Sequence, residues 1–112
     1  MIEETITRIE QRLRQAEHLS ERTRAELLML LDELRNDLGL TGDDTLAAGR
    51  VESILRFAEA SAHEALRPEQ DPELLTLALR GLEQSVQKFE TSHPRLTHIV
   101  GAISQALASM GV

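Results

Sequence analysis

Apolar residues recur at helical spacing along nearly the whole chain. Ile2, Ile6, Ile9, Leu13 and Ala16 step by four, three, four and three. That stripe predicts an amphipathic helix of about four turns. Ser20 then offers a hydroxyl as N-cap, with Glu21 in the first turn, where the helix dipole favours an acid. A second helix follows on Leu27, Leu31, Leu34 and Leu38. Leu28 and Leu30 widen its apolar face, so it should touch more than one neighbour. Gly39 is placed to end it as a C′ glycine.

Thr41, Gly42, Asp43 and Asp44 form a turn and N-cap cluster. A third helix is expected on Val51, Leu55, Ala58, Ala62 and Ala65 or Leu66. It is rich in alanine, has Gly49 near its start, and is the weakest of the set. Arg67-Pro68-Glu69-Gln70 breaks it. Asp71-Pro72-Glu73 restarts the chain with an N-cap, a proline at N1 and an acid. The fourth helix carries Leu75, Leu79, Leu82, Val86 and Phe89, with Gly81 inside it. An interior glycine costs about 1 kcal/mol relative to alanine, and here it would let another helix approach closely. His93 precedes Pro94, and a residue before proline is pushed out of the α region. His93 therefore reads as N-cap and Pro94 as N1 of a fifth helix, with Leu96, Val100, Ile103, Leu107 and Met110 on its stripe.

These elements predict an all-α fold: a single domain over residues 1–112, built as an antiparallel bundle of four to five helices. Short connectors should pair sequence neighbours side by side. The expected core is Ile6, Ile9, Leu13, Leu27, Leu31, Leu34, Leu75, Leu79, Leu82, Val86, Phe89, Leu96, Val100, Ile103 and Leu107. Phe89 and Leu96 should pack across the His93-Pro94 corner. No β pattern and no 20–50-residue repeat is visible.

Composition narrows the function classes. The chain has 112 residues, no Cys, no Trp, no Tyr and a formal net charge of −7. Disulfides, thiolate metal sites, a Cys nucleophile and an aromatic platform for nucleic acid are excluded. An acidic chain is a poor phosphate binder, because neutralising phosphates needs a positive surface. Met1-Ile2-Glu3-Glu4 lacks the basic start and apolar stretch of a signal peptide. The longest charge-free stretch, Leu96 to Val112, carries His98, Ser104, Gln105 and Ser109 and is too short and polar to span a membrane. A cytoplasmic protein, with neither nucleic acid nor membrane as partner, is expected.

The tail carries a resemblance. Phe89-Glu90-Thr91-Ser92-His93-Pro94-Arg95-Leu96, followed by Leu107-Ala108-Ser109-Met110-Gly111-Val112, resembles the end of a family of small bacterial proteins, the domain of unknown function 4404. Its pattern is F-E-x-x-H-P-x-L and then L-x-x-M-G-I, with Val112 here in place of the final Ile. Phe89, Glu90, His93, Pro94, Arg95, Leu96, Met110 and Gly111 fall on the motif. The resemblance covers about residues 1–40 and 74–112. Family members are usually shorter over residues 41–70, so the third helix reads as an insertion. The family implies a compact helical protein and lends no activity.

Candidate chemistry is sparse. Glu90-x-x-His93 has the spacing of di-iron bundle ligands, but such sites need two copies and two further Glu. Capping by His93 is the ordinary explanation. Glu59 and His63 share a helical face at i,i+4, a weak ligand pair on its own. His18 suits a helix C-terminus, and His98 suits an interface or the surface. No metal site, cofactor or catalytic set is therefore assigned, and the chain is not expected to be an enzyme. Arg8, Arg12, Arg22, Arg24 and Arg35 alternate with acids through the first two helices. That mixture reads as a solvated face, with Glu10 and Arg14 as an i,i+4 pair. No phosphate-binding glycine loop is present.

The last helix has Arg95 as its one charge, and Ile99, Gly101, Ala102, Ala106 and Ala108 leave its other faces small or apolar. A helix apolar nearly all round must be covered. A second copy would do so readily, and twofold dimers are the commonest oligomers. The function expected is a self-associating protein-interaction module, a homo-oligomer with dimer favoured and room for a further, unidentified protein partner. Its interface candidates are Leu96, Val100, Ile103, Leu107 and Met110. Two other readings stand beside it. One is a metal-binding protein or enzyme using Glu90, His93, Glu59 and His63. The other is an acidic regulator that takes a basic partner on helices 1 and 2.

Overall fold

A computed structural model describes residues 2–40 and 48–110. Five helices account for nearly all of them: α1 (Ile2–Gln15), α2 (Glu21–Leu40), α3 (Ala48–Ala65), α4 (Pro72–Gln87) and α5 (Pro94–Ser109). The all-α expectation holds. The Thr41-Gly42-Asp43-Asp44 cluster and Gly111 lie outside the described residues.

The starts of the helices are set locally, as the sequence indicates. Ser20 Oγ accepts the Thr23 backbone N–H at 3.2 Å and opens α2. Asp71 accepts the N–H groups of Glu73 and Leu74 at 3.0 and 3.3 Å, with Pro72 at N1. His93 stands at the N-cap of α5 in a non-helical conformation, but its side chain caps nothing. Its carbonyl accepts the Thr97 N–H instead, at 3.2 Å. Two ends fall elsewhere than expected. α2 runs on through Gly39 to Leu40, and α4 stops at Gln87, so Phe89 sits in the connecting turn.

The helices alternate in direction and close into a ring in the order α1, α2, α5, α4, α3 and back to α1, with α3 also touching α5. The expected pairing of sequence neighbours fails at one place: α2 and α3 are not a packed pair, and α3 lies against α1 instead. α1 and α3 run parallel, because Arg8 meets Glu59 and, one turn on, Arg12 meets His63. α3 is thus a full member of the bundle, with Ile54, Leu55, Ala58, Ala62 and Ala65 all buried. Its alanines leave room for three neighbours, and Ile54, at 0% exposure, is a core residue the stripe did not include. Of the expected core, only Leu79 is merely half-buried; the rest are buried, Phe89 and Leu96 among them.

Three side chains tie the elements together in ways that same-helix spacing does not reveal. Arg24 donates to the carbonyls of Arg14, Ala16 and Leu19 at 3.3, 2.6 and 3.2 Å, closing the C-terminal end of α1. Arg35 of α2 reaches α1 at Glu10 (2.7 Å) and Glu3 (3.1 Å). Glu10 therefore pairs across helices rather than with Arg14. Gln70 donates to the carbonyls of Ala65 and Met110 at 2.6 and 3.1 Å, joining the ends of α3 and α5.

Candidate interaction surface

The five interface candidates of the last helix are the first to place. Leu96, Val100, Ile103 and Leu107 are at most 3% exposed, and Met110 is packed partly buried against the same core. In this fold they offer a partner almost no surface. The reason lies in the topology: α5 touches α2, α4 and α3 of its own chain, so three companions cover its apolar faces. Ile99 and Ala106 are buried with them.

The carboxylate–histidine pairs are also otherwise engaged. Glu59 takes the Arg8 guanidinium on both oxygens, at 2.7 and 3.3 Å. That hydrogen bond, with the Coulomb pull of Arg8, holds the Glu59 carboxyl below its ordinary range and raises Arg8 above its own. His63 is hydrogen-bonded to Arg12 through Nδ1. A guanidinium can only donate, so Nδ1 accepts and the neutral ring carries its proton on Nε2. Glu90 lines the polar side of a groove, while the His93 ring stands edge-on to Phe89 at 5.8 Å. Among the described residues no three His, Asp or Glu side chains are grouped to hold a metal ion. His18 and His98 are exposed.

Among the described residues two concave surfaces stand out. One, of about 340 Å³, lies where α1 and α3 end, between Arg12, Gln15, His63, Leu66, Arg67 and Pro68. Two helix C-termini bring partial negative charge to the same place as two guanidinium groups, so no single sign of charge dominates it. The other, of about 460 Å³, is the groove between α4 and α5, lined by Gln84, Gln87, Thr97 and Gln105 over Gly101.

The convex surface is more informative. Large apolar side chains stand exposed at Phe57 (40%), Leu74 (41%), Leu77 (61%) and Met29 (58%). Met29 is on α2, which packs on α1 and α5. The other three belong to α3 and α4, the most extensively packed pair in the molecule. Leu74, Leu77 and Gly81 follow one another at i, i+3 and i+7, on one side of α4. The Phe57 ring lies on Gly81 so closely that a Cβ there would run into it. Gly81 thus does allow a close approach, of a ring rather than of a backbone. The result is one continuous apolar strip: Leu74, Leu77, then Phe57 seated on Gly81. The sequence held a signal for it, since Leu74 and Leu77 lie off the Leu75-Leu79-Leu82-Val86 stripe and have no place in the same core. Around this strip, Glu73 and Arg80 are exposed, and among the described residues neither side chain has an ion-pair partner.

No helix among the described residues is long and apolar enough to cross a membrane. The model of one protein family matches residues 58–112; its description is Domain of unknown function (DUF4404). The resemblance read from the tail is thus met by this family's model over residues 58–112. The matched stretch begins inside α3 and runs on through residues 58–70, and residues 1–57 lie outside it. No curated protein and no solved structure matches the chain.

Proposed function

We propose that this chain, which the DUF4404 model matches over residues 58–112, is a cytoplasmic protein-interaction module that works by burying the Phe57–Leu74–Leu77 strip of α3 and α4. The observation that carries this reading is the exposure of three large apolar side chains in one place, where the other large apolar side chains described, Met29 apart, are buried or half-buried. Burying the part of each side chain that is still exposed gains about 1 kcal/mol, before the cost of association is met. Leu74, Leu77 and Gly81 lie within the family-matched stretch, and Phe57 adjoins it. The contact surface is thus moved from α5, where the core has taken the apolar residues, to the opposite side of α4.

The other readings have less support. The acids of α1 and α2 include Glu3, Glu10 and Asp32, all engaged with Arg35, which leaves less negative surface for a basic partner. Glu59 and His63 are held by Arg8 and Arg12 rather than turned together toward a ligand.

A photo-cross-linking residue placed at Leu77, in cells that make the protein, tests the proposal. Covalent adducts heavier than the 12.5 kDa chain are expected from position 77 and none from Arg22, an exposed position on α2. No adduct at position 77, with the protein folded, would overturn it.

A further inference from the structure

The geometry points to a second copy of this chain as the occupant of the strip, docked with its α4 antiparallel across a twofold axis at Leu77. This inference rests on the strip being a contact surface and adds the partner and the register. Its ground is the arrangement of charge and shape along the exposed side of α4. Glu73 lies four residues before Leu77 and Arg80 three residues after it, on one flank of the strip. At about 1.5 Å per residue these offsets are about 6 and 4.5 Å from the axis. A twofold rotation that reverses α4 keeps flank on flank. It therefore brings Glu73 of each copy within about 1.5 Å, along the axis, of the level of Arg80 in the other.

The other flank matches in the same way. Leu74 lies three residues before Leu77, and Gly81, carrying the Phe57 ring, four residues after it. The same rotation sets Leu74 of each copy over the Phe57 ring of the other. Leu77, the most exposed of the large apolar residues at 61%, meets its own counterpart at the axis. Among the described residues both charges that flank the strip are without an ion-pair partner, and the rotation supplies one to each, twice. A self-complementary patch of this kind is what a twofold interface requires. A parallel pairing would instead set the charged flank of each copy against the apolar flank of the other, leaving Glu73 and Arg80 with no opposite charge to face.

Charge reversal tests this. The exposed sites allow Glu73→Arg and Arg80→Glu with helicity retained, checked by circular dichroism. The native chain is expected at twice its 12.5 kDa mass by light scattering. Each single reversal places like charges opposite one another at both pairs and should weaken the dimer about tenfold in Kd at low salt. An equimolar mixture of the two reversed chains restores both pairs, and so does the double reversal; each should recover native affinity. Loss on single reversal without recovery in the mixture overturns the antiparallel register. A native monomer at about millimolar concentration overturns the second copy as occupant. In either case the cross-linking at position 77 still decides whether the strip is a contact surface at all. A dimer indifferent to the reversals and to Leu77→Glu overturns both the occupant and the strip.

Discussion

Arg24 and Arg35 look alike in the sequence, each set among acids on a helix that carries both signs of charge. The fold uses them differently. Arg24 closes α1 by donating to three carbonyls, whereas Arg35 gathers carboxylates from two helices. Replacing Arg24 with Ala leaves those terminal carbonyls without a charged donor and should cost about 2 kcal/mol in urea unfolding. A loss under about 0.5 kcal/mol would mean that water serves the carbonyls equally well. Ser61 presents the opposite case. It is 0% exposed, and its Oγ has no hydrogen-bond partner. A hydroxyl buried in that way destabilises, so Ser61→Ala is expected to raise stability by about 1 kcal/mol, read from the same unfolding curves. Glu59 makes stability depend on pH. Its carboxyl is held low by Arg8, so its contribution is complete above the carboxylate's ordinary range and is lost as pH falls through the lowered value. The gap in stability between the native chain and Glu59→Gln should therefore be present at neutral pH and close on acidification. A gap that did not change with pH would rule out the ion pair as its source.

At the scale of elements, Phe57 and Gly81 form a unit that neither helix explains alone. Alanine in a helix interior normally gains about 1 kcal/mol over glycine. Here the new methyl meets the Phe57 ring, so Gly81→Ala should destabilise the native chain by about 1 kcal/mol and stabilise a Phe57→Ala chain by a similar amount. The same sign in both backgrounds would show that the ring swings away without cost. Much at this scale was legible in advance. The stripes of α1, α2, α4 and α5, the Ser20 and Asp71 caps and the prolines at 72 and 94 are local signals, and local signals set helix position. What was not legible depends on partners distant in sequence. Glu10 and Arg14 have the right spacing for a pair, yet Arg35 takes Glu10 from another helix. Leu96 and Leu107 read equally well as core or as interface, because periodicity identifies an apolar face without saying what covers it. The exposed apolar strip went unread for the same reason: Leu74 and Leu77 are conspicuous only once Leu75 and Leu82 have filled the core.

For the whole molecule, the ring order matters more than the number of helices. A charge-poor helix such as α5 suggests too much apolar face for one small chain. That surplus disappears when three companions from the same chain surround it. Among the described residues the large apolar side chains left in solvent are Met29 on α2 and, grouped together, Phe57, Leu74 and Leu77 on α3 and α4.

The parallel seam between α1 and α3 also bears on how the molecule comes apart. The pairs that mark it, Arg8 with Glu59 and Arg12 with His63, join residues 51 positions apart. By contrast, α3 with α4 and α4 with α5 are neighbours in the chain. Contacts that close long loops form late and are the natural first to open. α1 packs chiefly on α2 and α3 and brings a short apolar stripe to the core, Ile6, Ile9 and Leu13. It should act as a detachable stave: amide hydrogen exchange in native buffer should find α1 opening at a lower free energy than α4 and α5. Equal protection across the five helices would instead make the bundle one cooperative unit. If α1 does lift away first, what it uncovers is the flank of α3 that carries Glu59 and His63, a face that the intact ring keeps occupied by arginine.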